Sequence, residues 1–325
     1  MAGRCKHPGC PDPDNIGCNI EGHPNIHDCP NYIHEKSDSE EKQQDEENYY
    51  RIPWTGNSLG LIDLNFLTAS SKPIIIGIAG VASAGKTTFL ASLYCLLRNG
   101  KNIGEYSFAG SLTLIGWENI SWYLSWKNNG NIQFPPHTTN NSGRLPGLLH
   151  LALKNKHGKK IDLVFTDAPG EWFDHWRTNV NNENAKGAKW IHDYSDAFLL
   201  FADCEILTPN CSKRGIAKQQ INSVADRIFE NINNRPLGLI WSKSDISIPI
   251  DTKNQIRSHF EKNSLTHFAE YETSVKEGVD GVFHKNICDS IYWLIESLRS
   301  NKNSLPLIIS YKPEDMFLSK RTINE

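Results

Sequence analysis

The chain has 325 residues, 38% of them apolar, and a formal net charge of −3. That length accommodates one large α/β core and a small appendage, while the charge leaves no basic field to hold a phosphate backbone, so no direct nucleic-acid partner is expected. No apolar run approaches the length of a bilayer, and the N-terminus is polar and rich in Cys and Pro, unlike a signal peptide; a cytoplasmic protein without a membrane span is the expectation.

Residues 1–34 form a Cys/His-rich segment with too few apolar residues to make a core. Cys5, Cys10, Cys18 and Cys29 cluster there, whereas the other four cysteines are scattered. In a reducing compartment such clustering favours metal over disulfides, and a structural Zn²⁺ held by these four thiolates is the expected staple. His7, His23 and His27 are surplus candidates, and a disordered Cys-rich tail or redox-labile thiols are the competing readings. Residues 35–48 are charged and lack large apolar side chains, as in a solvated linker. Residues 49–71 read as an extended arm and a short helix packed on the domain that follows, itself expected to span 72–310, with a tail at 311–325.

The apolar run Ile74 to Ala79 leads into Gly80-Val81-Ala82-Ser83-Ala84-Gly85-Lys86-Thr87, a complete G-x-x-x-x-G-K-[ST] loop, and then into apolar residues at helical spacing from Thr88 to Arg98. Strand, loop and helix stand in the order that cradles phosphate. Gly80, Ser83, Ala84 and Gly85 supply close backbone, Lys86 reaches the β- and γ-phosphates, Thr87 ligates Mg²⁺ through its hydroxyl, and Thr88 continues the helix start.

The aromatic passage from Tyr106 to Trp126 has no interleaved Lys or Arg, so packing is expected over base stacking. A polar loop from Phe134 to Arg144 has the composition of a switch, with Thr138 and Thr139 equal candidates for a second Mg²⁺-ligating hydroxyl. Leu148 to Leu153 and Ile161 to Thr166 read as a strand pair joined near Gly158. The second strand ends in Asp167-Ala168-Pro169-Gly170-Glu171, which places Asp167 to hold Mg²⁺ through water and the Gly170 N–H near a γ-phosphate.

Further strands are expected at Ala197 to Ala202 and Pro236 to Trp241, with a helix from about Ile216 to Ile232. The latter strand runs into Ser242-Lys243-Ser244-Asp245, where Asp245 can accept both N1–H and N2–H of guanine, a donor pair that adenine lacks. Ser274-Val275-Lys276 forms a short turn able to offer a backbone N–H to guanine O6. Alternating strands and helices imply a doubly wound, mainly parallel α/β sheet, with ligand at the C-terminal strand ends.

Taken together, Gly80 to Thr87, Asp167 to Gly170, Ser242 to Asp245 and Ser274 to Lys276 resemble the motif set of Ras-like GTPases of the translation-factor-related P-loop class. More narrowly, Ala84 to Leu90, Leu148 to Leu151, Asp167 to Phe173 and Phe201 to Glu205, behind a Cys/His-rich start, look like the bacterial double-GTPase family. The resemblance implies a GTP-binding and GTP-hydrolysing switch within a multi-component conflict system directed against phages. Two positions depart from the pattern. Ser242 stands where Asn or Thr is usual, and its short side chain is expected to tie the loops less firmly. Glu171 stands where a water-orienting Gln is usual; it is a catalytic candidate whose charge opposes the γ-phosphate unless a cation compensates, so turnover is expected to be slow without a partner. Arg144, and secondarily Arg177, are candidates for that cation. The implied cofactors are GTP or GDP, Mg²⁺ and structural Zn²⁺, and the implied partner is a protein that senses nucleotide state. A nucleotide-gated scaffold with negligible hydrolysis and a P-loop ATPase are the alternatives.

Overall fold

The computed structural model describes residues 4–5, 32–33, 57–61, 63–124, 146–263, 268–276 and 280–300. The chain divides into two units, Met1–Ile52 and Pro53–Glu325. In the first, strand β1 (Arg4–Cys5) pairs antiparallel with β2 (Tyr32–Ile33), with Cys5 opposite Tyr32. The backbone at one end of the Cys-rich segment is thereby brought beside the other. The Cys5 side chain and all of Cys10, Cys18 and Cys29 lie outside the described residues, as do His7, His23 and His27.

The second unit is built on a seven-stranded mixed sheet. Its strands are β3 (Ile74–Ala79), β4 (Tyr106–Gly110), β5 (Gly147–Asn155), β6 (Lys160–Asp167), β7 (Ala197–Asp203), β8 (Leu237–Ser242) and β9 (Phe268–Glu272), in the order β4-β5-β6-β3-β7-β8-β9. From β6 across to β9 every pairing is parallel, whereas β4, β5 and β6 pair antiparallel. The expected hairpin explains the difference: a four-residue turn with Gly158 at φ 82° reverses the chain between β5 and β6. Such a turn can only make an antiparallel pair; a parallel one needs a crossover helix.

Helices cover both faces, which is why the central strands read as unbroken apolar runs. Alternate residues divide between two cores. Ile76, Ile78, Leu199, Phe201 and Ile240 pack with helix α2 (Lys86–Arg98), with Trp117 of α3 (Leu114–Trp122) and with Ile287 and Ile291 of α8 (Val282–Ser300). Phe198, Leu200, Leu239 and Trp241 face the opposite core with α4 (Gly170–Thr178), α5 (Lys186–Tyr194), α6 (Arg214–Phe229) and α7 (Ile250–Asn263). The helix expected from Ile216 thus begins two residues earlier and ends at Phe229. A third cluster joins the arm to the sheet: Leu59 exchanges backbone hydrogen bonds with Leu148, and Leu67 of α1 (Leu64–Ser70) is buried beside them.

Packing accounts for only part of the aromatic passage. Tyr106 and Trp117 are fully buried, and the Trp117 indole donates to the His150 carbonyl at 2.8 Å. Trp122 is 54% exposed. His150 anchors that corner as a neutral imidazole: Nδ1 accepts the Leu112 N–H at 3.0 Å, so Nε2 donates to Asp162 at 3.1 Å, and burial lowers its pKa.

Candidate functional site

The phosphate-loop sequence occupies the turn between β3 and α2, at the middle of the sheet. Its backbone is forced into left-handed conformations at Gly80 (φ 147°), Ser83 (φ 63°) and Gly85 (φ 84°). At Gly80 a side chain would also press on the Phe201 backbone, its Cβ 3.3 Å from the carbonyl oxygen. Ser83 adopts the left-handed region although it carries a Cβ, at a cost of roughly 1–2 kcal/mol. Non-glycine strain of this kind persists where the surrounding structure fixes it, commonly at functional sites.

Lys86 is buried at the first position of α2, and its ammonium donates to the carbonyls of Gly80 and Val81, both at 2.9 Å. Burial lowers its pKa to about 8, while the carboxylates of Asp167, Glu171 and Asp174 act in the opposite sense. Next to it the Thr87 hydroxyl donates to Asp167 Oδ1 at 3.2 Å. Asp167 ends β6, the parallel neighbour of β3, and that strand pairing brings the carboxylate to the hydroxyl. A hydroxyl and a carboxylate in contact are hard oxygen ligands of the kind Mg²⁺ takes through one or two protein groups.

Gly170 opens α4 directly against the phosphate loop. A Cβ there would fall 2.1 Å from the Ala82 nitrogen, so only glycine permits this approach. Glu171 follows in the first turn and is exposed. Arg177 is held on its own helix, its Nε donating to Asp174 Oδ1 at 2.9 Å.

The other end of the cavity is formed by the turns after β8 and β9. The Ser242 hydroxyl donates to the Ala84 carbonyl at 2.8 Å, so the short side chain does reach the phosphate loop. Asp245 has one carboxylate oxygen 2.6 Å from the Ser274 hydroxyl and the other 2.9 Å from the Lys276 ammonium. Burial works to raise the Asp245 pKa, but these two donors outweigh it and hold the carboxyl below its usual value. The Lys276 N–H is itself turned towards Ser274 Oγ at 3.2 Å.

Between these ends lies one cavity of about 410 Å³. It is walled by Ser83 to Thr88 at one end, by Gly170 and Glu171 along the side, and by Lys243, Asp245 and Ser274 to Lys276 at the other. The Gly80 carbonyl enters through its contact with Lys86, and Asp167 through Thr87. Thr138, Thr139 and Arg144 lie outside the described residues. Among the described residues no group of three or more His, Cys, Asp or Glu side chains is placed to hold a metal, and no helix is long and apolar enough to cross a membrane. Cys95, Cys204, Cys211 and Cys288 form no disulfide.

Asp203 and Glu205 were not singled out from the sequence as site residues, yet both reach this wall: each places a carboxylate oxygen 2.7 Å from Lys243 Nζ. For Asp203 the available signal was close to the one that identified Asp167, an acid at the end of a buried strand; for Glu205 there was none.

A central parallel sheet, a phosphate loop joined to the next helix, a hydroxyl and carboxylate pair beside it, and a braced Asp at the far end of one cavity define a P-loop domain of the GTPase kind. The family model Double-GTPase 2 matches residues 74–294, and the chain belongs to that family. No match is found among the curated proteins.

Proposed function

We propose that this protein is a guanine-nucleotide switch that binds GTP with Mg²⁺ and hydrolyses it. The observation that carries the reading is the bracing of Asp245 by Ser274 and Lys276 in the cavity that also contains Lys86. An ionised carboxylate with both oxygens oriented is a fixed double acceptor, matched to N1–H and N2–H of guanine; adenine would leave it unpaired, at a cost that discriminates strongly. The phosphate-loop N–H groups and Lys86 bind and neutralise the phosphates. Thr87 and Asp167 are the residues to hold Mg²⁺, which supplies charge neutralisation at the phosphate oxygens. Glu171, placed after the Gly170 N–H, orients or deprotonates the attacking water. Because its charge opposes the γ-phosphate, turnover is slow until a partner or Arg144 compensates.

In this reading the output is a surface sensed by a partner protein in the cytoplasm. Membership in a double-GTPase family supports a place in a multi-component bacterial conflict system. The closure of residues 4–33 by β1 and β2 supports a Zn²⁺-stapled module using Cys5, Cys10, Cys18 and Cys29. Phosphate release from GTP tests the enzymatic part: Lys86→Ala should abolish it, and Glu171→Gln should raise it if charge opposition limits the rate. No release above background from the unmodified protein would instead favour a nucleotide-gated scaffold, the reading that Glu171 in place of Gln supports.

A further inference from the structure

Asp203 closes β7 as the one charged residue of a wholly buried strand and is itself 4% exposed. Its Oδ1 accepts the Glu205 N–H at 2.9 Å and its Oδ2 lies 2.7 Å from Lys243 Nζ. The same ammonium meets Glu205 Oε2 at 2.7 Å. One cation is therefore shared by a buried and an exposed carboxylate. The parallel register that sets Asp203 opposite Ser242 fixes this reach. Lys243 is left-handed at φ 56°, and the turn around it is secured by Ser244, whose N–H donates to the Thr273 carbonyl at 3.0 Å and whose hydroxyl donates to the Trp241 carbonyl at 2.7 Å.

A lysine on the wall of a phosphate-binding cavity has a strong alternative partner. Its flexible stem lets a free ammonium turn towards phosphates bound in the same cavity, a dense negative charge. Two carboxylates neutralise that charge in place, and what remains for a ligand is the alkyl stem, an apolar strip suited to the face of a purine. We propose that Asp203 is a positioning residue for guanine-nucleotide binding, pinning the Lys243 ammonium so that the Lys243 stem rather than its charge meets the base. The inference rests on the assignment of this cavity to guanine nucleotide. Asp203 is the principal anchor, because an exposed pair such as that with Glu205 is worth little by itself.

The test is the release rate of fluorescently labelled GDP from the full chain with Mg²⁺, for the unmodified protein, Asp203→Asn, Lys243→Met and the double variant. Asn retains the shape and an acceptor for the Glu205 N–H and removes only the charge. Asp203→Asn should speed release by roughly tenfold, the lower bound for losing a charge-assisted hydrogen bond, and should add less than about twofold in the Lys243→Met background. Asp203→Glu, which keeps the charge but displaces it, should fall between Asn and the unmodified protein. It replaces Asn in the same cycle if Asp203→Asn does not fold. An unchanged release rate in the single variant, or an equal acceleration with and without Lys243, overturns the inference while leaving the guanine site intact. Failure of the unmodified protein to bind GDP overturns the site assignment itself, and this inference with it.

Discussion

The Ser242 hydroxyl donates to the Ala84 carbonyl across 2.8 Å, tying the end of β8 to the middle of the phosphate loop. The two residues stand 158 positions apart, and the bond couples the Asp245 end of the cavity to the phosphate-loop end. Ser242→Ala leaves a buried carbonyl without this donor. The expected loss is about 1–3 kcal/mol of stability, read as a lower denaturant midpoint with unchanged slope. GDP release should also be faster, since both ends of the site are anchored through this bond.

Gly170 approaches the loop so closely that a methyl group would meet backbone rather than a movable side chain. Gly170→Ala should therefore push α4 away from Val81 and Ala82. Overpacking of this kind costs typically about 1–3 kcal/mol. GTP affinity is expected to fall more than GDP affinity, because the displaced N–H is the one assigned to the γ-phosphate. Competition titrations with the two nucleotides check this directly.

The buried ammonium of Lys86 gives a pH dependence of defined sign. Burial holds its folded pKa at about 8, below the ordinary lysine value of 10.5. Between those values the unfolded chain binds more protons at this group than the folded chain does, so this contribution to stability rises with pH and its penalty is complete below about 8. Comparison with Lys86→Met isolates the group, because every other titration is common to both proteins. The stability of the unmodified protein relative to Lys86→Met should increase from about pH 7.5 to about pH 10, by at most about 1.4 kcal/mol per pH unit. A difference that is flat or falls with pH would contradict the burial of a charged Lys86.

The phosphate loop, Asp167 and Asp245 were legible because each belongs to a local pattern in which strand, turn and side chain are neighbours in sequence. Long-range pairing decides what was not legible. Asp203 can hold Lys243 only because β7 and β8 are adjacent and in register, and Ser242 reaches Ala84 only because β8 ends beside the turn after β3. The sheet class was legible from alternation of strands and helices. The antiparallel addition of β4 to β5 depends on edge placement that periodicity does not encode. Trp122 shows the limit of composition: its aromatic neighbours Tyr106 and Trp117 are core, while it faces outward from the end of the same helix as Trp117.

In the proposed function, Asp245 reads guanine. Titration of the Mg²⁺-containing full chain with labelled GTP, GDP and ATP, beside Asp245→Asn, tests it most directly. GTP and GDP should bind, ATP should compete poorly, and the variant should lose the guanine preference while keeping its fold. Equal competition by ATP against the unmodified protein, or an undiminished guanine preference in Asp245→Asn, would contradict it.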